Sequence, residues 1–251
     1  MTDQNTTQHA RHDHVVRAIT DDGAFRVITA QTTGTVRAAL AAQSATGQSA
    51  QWLGDLLTAT ILTRETMSPG QRVQGIVTCA GGVGNGSLVA DAQPDGSTRG
   101  LVRRPSAGAP LVFGAGTLLQ MARTLPNRTT HHGVVEVPVG GGISEGVMAY
   151  MQSSEQVVSM MAIATLFDDA GAVAAAGGYL VQVLPEVETG ALAIMAERLA
   201  AFDPLAEMIR GGAGAPDALI EEILYRMPYT RLEESALRFG CQCSHERVVI
   251  T

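Results

Sequence analysis

With 251 residues, 45% of them apolar, the chain can bury a core of its own, and its net charge of −7 excludes the basic face on which nucleic-acid binding rests. No run of about 18 apolar residues occurs, so no membrane-spanning helix is expected. The polar N-terminus reads as neither a signal nor a transit peptide, and 3 cysteines do not make a secreted disulfide framework, which points to a reducing cytoplasm.

Residues 1–13 read as a flexible tail. His9, His12 and His14 have no apolar neighbours to fix their geometry, so a solvated tail is expected rather than a metal site. Val15 to Ile19 and Phe25 to Ile28 flank the turn signal Asp21-Asp22-Gly23 and predict a hairpin. Thr32 or Thr33 can then cap a helix through Val36 and Leu40. Ser49 to Arg64 is the strongest helical segment: Trp52, Leu53, Leu56, Leu57, Ile61 and Leu62 cover most of its circumference, the pattern of a buried helix.

Residues 71–105 alternate as three strands, with turns at Gly81–Gly86 and Pro94-Asp95-Gly96. The glycine run lacks the Lys-Ser/Thr of a phosphate-binding loop and is expected to be a hairpin connection. Two further strands are expected near Thr117–Ala122 and Gly133–Val137, with His131 and His132 in a polar connection. Ser144 and Glu145 suit the start of a short helix. Val157–Phe167 and Val173–Leu184 read as a strand pair joined by Asp168-Asp169-Ala170-Gly171.

The character changes after Pro185. Residues 188–209 are alanine-rich and helical, Gly211–Pro216 is a flexible joint, and Asp217 can cap one more helix through Leu219, Ile220 and Ile223. The last residues carry Cys241-Gln242-Cys243. Paired thiols at this spacing bind a soft metal, form a disulfide, or alternate between the two. Cys79 is expected to be a buried structural cysteine.

Four stretches are similar to one known family. Tyr150-Met-Gln-Ser-Ser-Glu155-Gln156, Gly177-Gly178-Tyr-Leu-Val-Gln-Val-Leu-Pro185, Leu53-Gly-Asp-Leu56-Leu57 and Phe239-Gly-Cys241-Gln-Cys243-Ser-His-Glu-Arg247 resemble segments of the redox-regulated heat-shock chaperone of thirty-three kilodaltons, a bacterial holdase family. The resemblance runs from about residue 14 to the end. It implies an α+β fold: a core domain of antiparallel sheets packed around a buried helix (14–185), a metastable helical linker (186–235) and a zinc-binding redox segment (236–251).

The resemblance further implies an ATP-independent holdase that captures unfolding clients. Four thiolates, from a Cys-x-Cys and a later Cys-x-x-Cys, hold zinc in the reduced state. Oxidation forms disulfides within the pairs, expels the metal and unfolds tail and linker; the active form is a dimer. Cys241 and Cys243 match the first pair as metal ligands and redox-active thiols. No cysteine follows Cys243 in these residues, so zinc is expected to be held weakly or not at all.

His245 could add a third ligand, but such a local site is cramped, and an ordinary exposed histidine is expected. Without a full clamp, the linker should be loosely held and some client surface open before oxidation. A domain swap in the dimer would cross over at Gly211–Pro216.

The switch is physically sensible. A structural zinc site contributes roughly 10–16 kcal/mol against about 5–15 kcal/mol for a whole domain, so losing the metal can unfold a small segment. The rival reading is a thiol–disulfide oxidoreductase using Cys241 and Cys243, but such enzymes place the first cysteine at a helix N-terminus, and here a strand-like Leu232–Phe239 stretch precedes it. A hydrolase lacks a nucleophile elbow, and Glu155 reads as a polar anchor. A passive dimerisation module remains the third option. The chain is therefore expected not to be an enzyme.

Overall fold

The structure, a computed structural model, describes residues 12–81, 83–105, 110–185, 187, 189–202 and 204–241. β1 (His14–Thr20) and β2 (Phe25–Gln31) form the expected hairpin, turning at Gly23 with φ +72°. α1 (Thr33–Ala42) follows, but its cap is not the expected one. Thr32 makes no side-chain bond to the first turn; its hydroxyl meets that of Thr58 at 2.8 Å. The carboxylate of Asp13 takes the N–H of Gly34 at 3.0 Å and that of Thr35. A carboxylate there satisfies orphan donors and matches the helix dipole, so the last residue of the presumed tail is buried in the fold.

α2 (Gly47–Glu65) is the buried helix. Leu53, Leu56, Leu57, Ile61 and Leu62 are all inaccessible, and so are Thr58, Thr60 and Thr63 on its other sides. A helix buried all round has to lie between two layers. One layer runs β3 (Arg72–Thr78), β4 (Ser87–Ala92), β5 (Ser97–Arg103), β6 (Leu118–Thr124) and β7 (Thr130–Glu136). Close approach of helix and sheet requires Gly75: a Cβ there would lie 2.6 Å from the Thr60 hydroxyl.

The glycine run is a hairpin loop, as expected, with a single 3₁₀ turn at Val83–Asn85. His131 and His132 are not in a connection. They are paired within β7, opposite Arg123 and Ala122.

α3 (Ile143–Tyr150) starts one residue before Ser144, and Glu145 accepts the Gly142 N–H at 2.7 Å. A π-helical turn at Met151–Glu155 ends it, with Gln156 left-handed at φ +57°. β8 (Ser159–Phe167) and β9 (Val173–Val183) complete the hairpin seen in the sequence.

α4 (Thr189–Ala200), α5 (Leu205–Arg210) and α6 (Pro216–Ile223) then form an outer helical layer. Asp217 does not cap α6. Pro216 takes the first helical position after Ala215, and Asp217 sits in the first turn, 3.0 Å from Arg231. Pro suits that position because its missing N–H has no helical acceptor there.

The chain ends, among the described residues, in three short strands: β10 (Tyr229–Arg231), β11 (Ser235–Ala236) and β12 (Arg238–Phe239). The first sheet has the order β10-β1-β2-β9-β8, with β11 also on β1; the second is β12-β5-β4-β3-β6-β7. Pairing is antiparallel except for β12 on β5. The layers are thus α4–α6, first sheet, α2 with α1 and α3, second sheet. One apolar cluster fills the space around α2, and a second lies between the first sheet and the outer helices.

Candidate functional site

Two features stand out from the core: the helical layer and the strap that follows it. The face of the first sheet turned away from α2 is apolar, carrying Val16, Ala18, Phe25, Val27, Tyr179 and Val181. An uncovered patch of that kind is unusual on a lone soluble chain. Here Met195 of α4, Leu205 of α5 and Leu219, Ile220 and Ile223 of α6 cover it. Thr29 of β2 donates its hydroxyl to the Pro216 carbonyl of α6 at 2.9 Å, and within the layer Arg198 of α4 reaches the Ile223 carbonyl of α6 at 2.8 Å.

From α6 the chain descends along the shared edge of both sheets. β10 and β11 pair with β1. Leu237 donates to the Asp13 carbonyl at 2.8 Å, Arg238 to the Gly96 carbonyl at 3.1 Å, and Gly240 to the Thr98 carbonyl at 3.0 Å. Arg238 also grips Asp95 at 2.6 Å. The Ser97 hydroxyl and N–H, with Arg238, hold the Asp95 carboxyl below the usual carboxylate range. Sequence reasoning saw strand character at Leu232–Phe239 but not this strapping of two sheets. Strands of two or three residues give no readable periodicity.

Cys241 emerges at the end of this strap, exposed. It borders a pocket of about 470 Å³ lined by Phe239, Arg99, Asp91, Val89 and Leu101. Arg99 stands 3.9 Å from its sulfur and 2.9 Å from Asp91, a buried carboxylate that Arg72 also grips at 2.5 Å. Cys243 and His245, the other sequence candidates, lie outside the described residues. Among the described residues no three His, Cys, Asp or Glu side chains converge as a metal site would need. Cys79 is buried, as expected, and burial pushes its thiol pKa up, the opposite of a reactive cysteine.

Glu155 is an anchor. It takes the Tyr150 hydroxyl at 2.6 Å and the Arg123 guanidinium at 3.0 Å. Burial, then Glu155 itself, push the Tyr150 phenol well above its usual range. Both partners are committed to structure, and neither is poised for chemistry.

Comparison with known proteins agrees with this architecture. The family described as Hsp33 protein matches residues 13–250. The chain is 33% identical over 249 residues to the 33 kDa chaperonin of Syntrophotalea carbinolica, covering 94% of this chain and 84% of that one. It is 31% identical over 256 residues to the 33 kDa chaperonin of Geobacter sulfurreducens, covering 97% and 83%.

The solved structure of the 33 kDa chaperonin (heat shock protein 33 homolog) of Thermotoga maritima shares the fold, with a TM-score of 0.81 at 22% identity over 94% of this chain and 83% of that one. No helix among the described residues is long and apolar enough to cross a membrane. With its two sheets, enclosed helix and outer helical layer, the chain belongs to the Hsp33 family of chaperones.

Proposed function

We propose that this chain is an ATP-independent, cytoplasmic holdase whose client surface lies under α4–α6, and that Cys241 and Cys243 govern its exposure. The observation that carries the reading is the continuity of the strap: it leaves the helical layer at α6, pins both sheets at one edge, and ends at Cys241. Core (14–185), linker (186–235) and switch (236–251) are the units of this mechanism. β10 and the first residue of β11 fall in the linker and pair with the core, so they are the contacts that must be given up.

The chemistry is thiol oxidation. A thiolate attacks a peroxide oxygen, the O–O bond breaks, and a sulfenic acid and hydroxide form, the hydroxide taking up the proton the thiol had released to leave as water. The second thiol then displaces that hydroxyl as water, giving a disulfide. Bridging two cysteines with a single residue between them distorts the backbone, since disulfide geometry is narrow. The distortion lies two residues from β12. Releasing the Leu237, Arg238 and Gly240 backbone bonds costs about 1 kcal/mol each, so a local strain can unzip the strap and free the helices.

Zinc would strengthen the closed state. Cys241 and Cys243 would be its ligands, as soft thiolates suit it. In these residues the set, even with His245, falls short of a tetrahedral shell. The active form is read as a homodimer, with any swapped segment crossing at Gly211–Pro216. The oxidoreductase reading draws no support from the position of Cys241, which comes two residues after β12.

The test is aggregation of a heat-unfolded client followed by light scattering. Peroxide should raise suppression by the parent chain and leave a Cys241→Ser/Cys243→Ser variant unchanged. Equal responses of the two, or no suppression by either, would overturn the reading.

A further inference from the structure

Beyond the end of α2 a cleft of about 540 Å³ lies between the two sheets, with Thr66, Met67 and Ser68 on its wall. Strands that otherwise send apolar groups inward send charged and polar ones here. Arg26 of β2 and Gln182 of β9 stand opposite each other and share the inner face with Ile28 and Leu180, while Arg123 of β6 shares that of Met121. Alternation along a strand fixes this orientation. Polar groups turned between two sheets cost free energy unless they find partners.

The partners present do not match the charge. Arg123 meets Glu155 at 3.0 Å, but its Nε–H has no acceptor among the described residues. Arg26 has no acidic partner among them; its side-chain bond is to the Gln182 carboxamide oxygen, at 3.4 Å. Two guanidiniums thus line the cleft with one carboxylate. Neither caps α2, whose Thr63 and Arg64 carbonyls take the Thr66 and Met67 N–H groups at 3.1 and 3.0 Å. Met67, Met151, Val157 and Leu184 give the same cleft apolar walls. Its volume is that of small-molecule sites, which join apolar walls to a few convergent polar groups.

We propose that this cleft binds a small aliphatic carboxylate, its head on Arg26 and Arg123 and its chain on the methionine and valine walls. One unmatched positive charge calls for a monoanion, which favours a carboxylate over a phosphate dianion. The planar guanidinium fork suits a carboxylate, and the apolar walls reward the chain. The site uses neither the cysteines nor the strap, so its failure would leave the proposed function standing.

The test is calorimetric titration of the reduced full chain with butanoate, hexanoate and octanoate against a sodium chloride blank of equal ionic strength, with the thermal midpoint as a second reading. One equivalent should bind, about fourfold tighter for each added methylene. Octylamine, with the same chain and the opposite charge, should not bind. Arg26→Gln should weaken octanoate binding at least about tenfold. It should leave the ligand-free midpoint in place, since one long hydrogen bond is all it gives up. Val158→Asp guards against a folding artefact. Val158 is 42% exposed and lines the cleft, and a carboxylate there should repel the ligand.

Neither heat nor a raised midpoint with any of the carboxylates would overturn the site. Octylamine binding as tightly as octanoate would reduce it to an apolar cleft, and inorganic phosphate binding as tightly would reduce it to a bare anion site. Either result overturns the proposal, as does an unchanged octanoate affinity in both variants.

Discussion

Leu237 gives its backbone N–H to the carbonyl of Asp13 at 2.8 Å, while the carboxylate of the same Asp13 caps α1 through Gly34 and Thr35. One residue at the base of β1 thus holds both the first core helix and the strap that leads to Cys241. Asp13→Ala leaves the carbonyl in place and removes only the cap. It should lower the unfolding free energy by about 1–2 kcal/mol, and Asp13→Asn should recover most of that, because asparagine caps nearly as well. Urea denaturation of the three chains measures it; an Ala variant as stable as the parent contradicts the capping role.

The strap can be displaced without touching a cysteine. Gly96 has φ +77°, and a Cβ there would lie 2.1 Å from the carbonyl oxygen of Ala236. Gly96→Ala therefore forces the strap off the β4–β5 turn. Gly171 has φ +79° with nothing within 4 Å of a Cβ. Gly171→Ala bears similar backbone strain, of about 1 kcal/mol, with no clash. The Gly96 variant should show faster proteolysis at residues 229–241 and client suppression under reducing conditions. The Gly171 variant should show neither. Parallel behaviour of the two would mean that strain alone, and not loss of the strap, is being read.

Much of the fold was legible because its elements are long and periodic. The β1–β2 and β8–β9 hairpins, the consecutive strands β3, β4 and β5, and the enclosed α2 follow from apolar spacing and turn residues. Three things were not legible. Asp13 caps a helix that begins 20 residues later, a pairing created only when β1 and β2 fold back. His131 and His132 look like loop residues, yet β6 recruits them by cross-strand pairing. The strap consists of strands of two or three residues, held by partners from three separate segments. At the site, Cys241 was legible from its motif, but its place beside Arg99 and Asp91 depends on β12 lying along β5.

Burial raises Asp55 of α2 to a pKa of about 6, against the opposing pull of hydrogen bonds from Gln51 and Thr165. A folded-state pKa above the unfolded value means that the native state binds the proton more tightly. The stabilisation is full below about pH 4 and fades as pH rises through about 6, because ν_N exceeds ν_U across that window. A shift of this size corresponds to about 1–3 kcal/mol. Asp55→Asn keeps an acceptor for Gln51 and removes the titration. The stability difference between variant and parent should therefore grow in favour of Asn from pH 4 to pH 7 and then level off. A pH-independent difference would place the proton elsewhere.

The seat of the helical layer gives the sharpest functional contrast. Ile223 is fully buried between α6 and the outer face of the first sheet, whereas Leu57 is fully buried around α2. Either residue truncated to Ala loses transfer energy and leaves a cavity, a cost of about 2–5 kcal/mol. The consequences should differ because the two clusters lie on opposite faces of that sheet. Ile223→Ala weakens only the cover, so α4–α6 should lift and expose Val16, Val27 and Tyr179 while the core stays folded. Leu57→Ala weakens the core itself and should lower the global unfolding midpoint with no gain of surface. Hydrogen exchange resolved by segment, run beside client light scattering without oxidant, separates them. Faster exchange confined to 189–223 with raised suppression is expected for Ile223→Ala alone. If both variants gain suppression in proportion to their loss of stability, general unfolding and not the lifting of the helical layer would be what captures clients.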